Sequence, residues 1–322
     1  MAHSGPAYDP FAVHLSRYSP STVRAVALAS VVAYALLVVS GGAVRLAGSG
    51  LGCPDWPSCF QHHLTAVSSF HPMVEFLNRL VSVAVTVLSA AALIVTARRN
   101  PFRRDLTWLG AGLVGGILAQ IVLGGLVVLF KLNPYLVAVH FLLTFVVLAN
   151  AILLYHLSGC DPTPAEPTVG RDLVWLARLV LGSLALVTMV GTVVTGSGPH
   201  SGGPGAKRIP IALHSIAEVH ATLALFTIGM TLAATFAFHV AKAPPAVQRR
   251  VRLLVEVMAV QGGLGYLQYF LHDAAGVVEF HLAGVTTLWR VGFTFYLSLH
   301  QHPPAAEEAG ATRAGTTLAT VA

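Results

Sequence analysis

Charge is what this sequence has least of. Only 10% of its 322 residues are Asp, Glu, Lys or Arg, against about 25% in an ordinary soluble domain. Such a chain cannot cover itself with a hydrated surface, so a soluble globular class is excluded. Cysteine is scarce too, with three in all, which rules out a framework stapled by many disulfides. Acidic residues number 13 against 19 Lys and Arg. A balance of +6 would suit nucleic acid, were it not for where the positive charges lie.

What is abundant is apolar sequence: 55% of the residues are hydrophobic and mean hydropathy is +0.72. Runs of roughly 18 or more apolar residues are long enough to cross a bilayer at 1.5 Å per residue. Eight occur, at about 23–44, 73–96, 106–130, 134–156, 173–195, 211–240, 253–271 and 277–299. A helix satisfies its own backbone hydrogen bonds where water is absent. The expected fold is therefore an all-α integral membrane protein with eight transmembrane helices. The first run lacks a short apolar core followed by a small-residue cleavage site and reads as a retained helix. Counting loops alternately, twelve Lys and Arg fall on the side of the N-terminus, and four (Arg45, Lys131, Lys207, Arg208) fall on the other. The positive-inside rule then puts both termini in the cytoplasm and the protein in the cell membrane, without nucleic acid.

That orientation places Cys53 and Cys59, in GSGLGCPDWPSC, on the outer, oxidising side, and Cys160 inside. The compartment favours a local disulfide over two unpaired thiols. A ring this short contributes only about 2 kcal/mol by loop entropy, so its expected use is as a clamp on the loop.

The chain also repeats. GSG at 48–50 returns at 196–198, GGL at 124–126 returns at 262–264, and His140 corresponds to His281. Two pseudo-symmetric four-helix bundles related by a parallel duplication are expected. Residues 1–22 would form a cytoplasmic lead and 23–157 the first half, with an outer loop at 45–71. A polar, Pro-rich linker at 158–172 leads into the second half at 173–300, and 301–322 would be a disordered cytoplasmic tail.

Ionisable groups inside a membrane are costly and are functional candidates by default. Of 15 histidines, His140, His220 and His281 lie at similar depth in the outer halves of helices four, six and eight. Neutral imidazole is a common axial ligand of heme iron, and bundle interiors are where such sites are built. A lone membrane histidine is more often a hydrogen-bonding core residue; three at one level favour ligation. His214 is expected at the interface, His62, His63 and His71 as outer-loop residues, and His156, His239, His300 and His302 at inner ends. In helix two, EFLNR puts Glu75, Asn78 and Arg79 on one face. Glu75 and Arg79 read either as a structural ion pair or as a carboxyl poised to move a proton. Arg290 reads as a buried cation, a partner for a heme propionate or for a neighbouring helix.

These motifs resemble the heme A synthase family. The resemblance runs from about residue 24 to 300 and is most specific in GGAVRLAGSGLGCPDWPSC (41–59) and EFLNR (75–79), with VHF, VHA and FHL around the three histidines. It implies an eight-helix oxidoreductase that converts a ring methyl of heme O to a formyl group by two successive hydroxylations with water-derived oxygen, for cytochrome oxidase biogenesis. It further implies heme b between His220 and His281, substrate heme near His140 and helix two with Asn78 and Arg79 beside it, Glu75 in catalysis, and a Cys53–Cys59 pair. The family pattern in helix two is Glu-x-x-His-Arg. Asn78 stands in place of that histidine, as in actinobacterial-type members, so His140 alone, or with another residue such as His71, is expected to hold the substrate iron. A second cysteine pair known in some members is missing from 196–210.

Two rival readings share the histidines: a non-enzymatic diheme cytochrome b, and a heme carrier. Expected partners are heme O, membrane lipid, the farnesyltransferase that makes heme O, and oxidase assembly factors; homo-oligomerisation stays open.

Overall fold

A computed structural model describes residues 17–61, 63–65, 68–162 and 165–301. Expectations for residues 1–16, for His62 and for the tail from His302 lie outside the described residues.

Among those residues the chain forms eight helices: α1 (Pro20–Leu46), α2 (Phe70–Ala97), α3 (Arg104–Leu129), α4 (Pro134–Ser158), α5 (Arg171–Ser197), α6 (Leu213–Val240), α7 (Pro245–Phe270) and α8 (Ala275–Leu297). Their starts follow local chemistry. Proline opens α1, α4 and α7, where its missing N–H costs nothing. Ser19 caps α1 by accepting from the Thr22 amide, and Asn133 caps α4 by accepting from the Tyr135 amide. The seventh helix begins eight residues before the apolar run expected at 253, because Gln248–Arg252 continue its first turns beneath the apolar part. Six helices, α1 to α6, are long and apolar enough to cross a membrane; the charged start of α7 and the Glu279 and Arg290 of α8 lower the apolarity of the last two. The protein is a multi-pass, all-helical membrane protein.

Each helix packs on its sequence neighbour within residues 20–158 and again within 171–297, with α4 returning to α1 and α8 to α5. One apolar cluster gathers around Tyr34, Ile117, Phe145 and Leu148 from α1 to α4; a second gathers around Val180, Phe238, Leu254 and Phe295 from α5 to α8. Several polar groups inside pair across helices, which offsets the cost of burying them. The Tyr34 hydroxyl pairs with Ser89 Oγ at 2.8 Å and donates to the Leu113 carbonyl at 3.2 Å, tying α1, α2 and α3. Trp289 Nε1 donates to Thr188 Oγ1 at 3.1 Å, tying α8 to α5. The two sets of helices meet where α8 lies on α1 and α4, and there Trp289 stacks between Phe145 and Phe293. A two-residue ribbon, β1 (Glu166–Pro167) with β2 (His300–Gln301), pins the linker to the end of α8.

Candidate functional site

Helices α6 and α8 are separated by α5 on one side and α7 on the other, and His220 and His281 look at each other across that diagonal. Their ring centroids are 6.5 Å apart with planes at 66°. A metal bound by an imidazole nitrogen at about 2 Å on either side would put two such centroids a little over 6 Å apart, so the pair fits one iron between them. An edge-to-face aromatic pair spans the same range, about 4.5–7 Å, so the surroundings matter more than the distance. His281 Nδ1 is buried with no hydrogen-bond partner, an arrangement that a plain packing histidine would avoid. Glycines stand against both rings, and at one of them a side chain would crowd the imidazole. A Cβ on Gly191 would lie 3.1 Å from His220 Cε1, and one on Gly265 would lie 3.4 Å from His281 Cε1. Below the ring, the buried Gln261 side chain donates to the His281 carbonyl at 2.7 Å.

The same frame surrounds His140. Gln120 Nε2 donates to the His140 carbonyl at 3.1 Å and to Thr144 Oγ1 at 2.6 Å. A Cβ on Gly124 would lie 3.4 Å from His140 Cε1, and His140 Nδ1 is likewise buried without a partner. The equivalence between the two frames is uniform, 141 positions from Gln120 to Gln261, Gly124 to Gly265 and His140 to His281. This corrects the GGL match expected from sequence, whose 138-residue offset is one residue short of a turn out of register with the histidines. Asn78, the residue expected on the substrate side with His140, lies on α2. Its Oδ1 accepts from Ser40 Oγ of α1 at 2.8 Å. His71, the other residue expected near this iron, is exposed; its Nδ1 pairs with Ser49 Oγ at 2.9 Å and its ring lies edge-on to Phe70.

Above this half lies the cysteine loop. Cys53 and Cys59 form a disulfide, and both are 0% exposed. Glu75 and Arg79, one helical turn apart on α2, pair at 2.6 Å. They orient the loop rather than two helices. Glu75 Oε2 accepts from the Cys53 amide at 2.8 Å, and Arg79 donates to the carbonyls of Cys53, Asp55, Pro57 and Ser58 at 3.0–3.3 Å. Trp56, in the middle of the ring, rests against α3 where Gly125 has no side chain; a Cβ there would sit 2.7 Å from the indole.

A second set of bonds joins the loops that follow α1, α5 and α7. Arg45, at the end of α1, donates through Nε to the His200 carbonyl at 2.6 Å and through Nη2 to the Thr195 carbonyl at 2.7 Å. Gly48 turns the chain with φ 64°, and the Gly50 amide then donates to the Gly202 carbonyl at 2.8 Å. His200 in turn pairs with the Asp273 carbonyl at 2.7 Å.

Arg290, expected to be buried, is exposed. It lies nine residues after His281, about 180° around the helix, and so faces away from the site. The acidic residue that α8 does turn inward is Glu279, whose two carboxyl oxygens are buried beside Gly42 of α1 without a hydrogen-bond partner. Its place near the helix start gave no sign of that burial. His214 is exposed and lies 3.1 Å from Glu218.

Fold and site together define a polytopic membrane protein that carries imidazole pairs or single imidazoles inside its helix rings. A match to the cytochrome oxidase assembly protein family, COX15-CtaA, covers residues 24–200, more than half of the chain; the chain belongs to that family. It is 36% identical over 109 residues to the heme A synthase of Geobacillus kaustophilus, a match covering 33% of each protein. To the heme A synthase of Geobacillus thermodenitrificans it is 35% identical over 113 residues, 34% of this chain and 35% of that one. A longer match, 26% over 178 residues, reaches the heme A synthase of Shewanella oneidensis and covers 50% of this chain and 52% of that one. The matched part thus spans about a third to a half of these relatives' length.

Proposed function

We propose that this protein oxidises a ring methyl of heme O to a formyl group and so makes heme A for cytochrome oxidase. The observation that carries this reading is the facing pair of His220 and His281, framed like His140 yet differing from it in its second ligand. On this reading all eight helices span the membrane as two duplicated four-helix halves, with both termini in the cytoplasm. His220 and His281 hold heme b, which supplies electron transfer when bound. The substrate heme lies in the first half, where His140 supplies one ligand. Asn78 is a poor ligand and is held by Ser40, which leaves the other face of that site without a protein ligand and free for chemistry.

Converting a methyl to a formyl group with one water releases four protons and four electrons, and on this reading the electrons leave through heme b to an electron acceptor outside the protein. The residues must therefore orient the methyl, exclude stray water and accept protons. Glu75 is a buried acidic group of this half, 5% exposed and tied to Arg79; we assign it the role of accepting a proton or offsetting positive charge beside the reacting methyl. The disulfide loop closes the outer end of the half.

Heme extraction with mass analysis, after expression with and without a heme O source, tests the reading. Heme A and a hydroxylated intermediate beside heme B are expected. Heme B alone would make the protein a cytochrome, and unaltered heme O alone would make it a carrier.

A further inference from the structure

One side chain organises the cysteine ring. The disulfide already closes residues 53–59, yet Arg79 also holds four of the ring's carbonyls, and two of them, those of Asp55 and Pro57, flank Trp56. Glu75 holds Arg79 with one oxygen and the Cys53 amide with the other. These bonds fix the tilt of the ring on α2, and the residue whose position depends on that tilt is Trp56. Its indole presses on Gly125, the neighbour of Gly124, and Gly124 makes room for His140. Gly124 and Gly125 are consecutive on α3, so the imidazole and the indole meet that helix at one level, about 100° apart around it. Packing does not use up the indole: it is 38% exposed, and its N–H donates to no described residue. An aromatic face and a hydrogen-bond donor are left over at the edge of the half-site.

We propose that Trp56 is a substrate-positioning residue, the aromatic wall of the His140 half-site, and that the Glu75–Arg79 pair is the latch that seats it through the backbone of the disulfide ring. The substrate it suits is planar, largely apolar and edged with hydrogen-bond acceptors, as a metalloporphyrin is. The proposal rests on the reading that this half receives the substrate heme.

The test is a titration of the purified full-length protein with iron protoporphyrin, followed by its absorbance, with His140→Ala marking which spectral component belongs to this half. Trp56→Ala should weaken that component by about 2- to 12-fold, the range of one aromatic stacking contact, and leave the other component unchanged. Trp56→Phe should recover most of the loss. Gly125→Ala keeps the tryptophan but puts a Cβ 2.7 Å from its ring, and should copy Trp56→Ala by unseating it. If all three variants bind like the parent at both components, the proposal is overturned while the functional reading stands. A parent protein with no component sensitive to His140→Ala would overturn the functional reading, and the proposal with it.

Discussion

Replacing Arg79 by Met should loosen the disulfide ring enough to be read as a rate. In the native arrangement both sulfurs belong to residues with 0% exposure, so a reductant reaches them only when the ring lifts from α2. Arg79 makes four hydrogen bonds to ring carbonyls that resist lifting, and a fifth, to Glu75 on its own helix, that holds the guanidinium in place. Removing one partner of a buried pair costs about 3–5 kcal/mol, but the Arg79 side chain is 22% exposed and the Glu75 side chain 6%. Solvent at the guanidinium reduces the effect, and about 2–3 kcal/mol is the appropriate figure. At tenfold per 1.4 kcal/mol, the open population rises about 30- to 140-fold. The assay is reduction in membranes at low dithiothreitol, stopped by a bulky maleimide, on a Cys160→Ser background so that only the pair reports. Glu75→Gln keeps an acceptor for the Cys53 amide and loses only the charge; it should accelerate reduction less than Arg79→Met does. A rate for Arg79→Met within about threefold of the parent would refute the latch.

Three other outcomes are expected. Gly191→Ala brings a Cβ to 3.1 Å from His220, while Gly265→Ala brings one to an ordinary 3.4 Å from His281; heme B retained on purification should fall for the first and stay near parental for the second. Arg45→Ala leaves the Thr195 and His200 carbonyls without their donor; losing two charge-assisted bonds costs about 3 kcal/mol, a drop in Tm of about 4–5 °C at a fixed scan rate, and an unchanged Tm would show that this tie does not hold the loops together. Glu75→Gln should keep its heme yet yield no heme A in extracts, and normal output from it would remove Glu75 from the reaction.

The helices were legible because a bilayer asks for one simple thing, some twenty apolar residues, and because Pro20, Pro134 and Pro245 mark helix starts. The histidines were legible by depth, since His140 and His281 each fall six residues into their helices and His220 seven. Register was harder. Glycine triplets are common in membrane helices, so the GGL match carried little information, whereas Gln-x-x-x-Gly at 120–124 and 261–265 keeps the spacing of the histidines and was available in the sequence. Arg290 could have been placed by helical periodicity from His281. Arg79 could be paired with Glu75 from its spacing, but its four carbonyl partners lie in a loop, and loops have no period from which to read a partner. Glu279 was hidden for another reason: its burial depends on Gly42 of a helix more than 230 residues away in sequence, and no local pattern encodes that approach.

The two halves share a frame of glutamine, glycine and histidine and differ in what surrounds it. In the second half the frame faces His220, and no cysteine occurs in the 198–212 loop above it. In the first half Asn78 stands where the family resemblance leads one to expect a histidine and is held by Ser40, and the loop above is closed by a disulfide and latched by an acid–base pair. A site given two imidazoles suits a group that stays bound and exchanges electrons. A site given one imidazole, with a buried acid and a fastened cover beside it, suits a group that arrives, reacts and leaves. Duplication alone would have produced two equal sites. The inequality lies in Asn78, Glu75, Arg79 and Trp56 together, all in one half, and on the proposed reading this grouping separates a half where electrons are released from a half that carries them away.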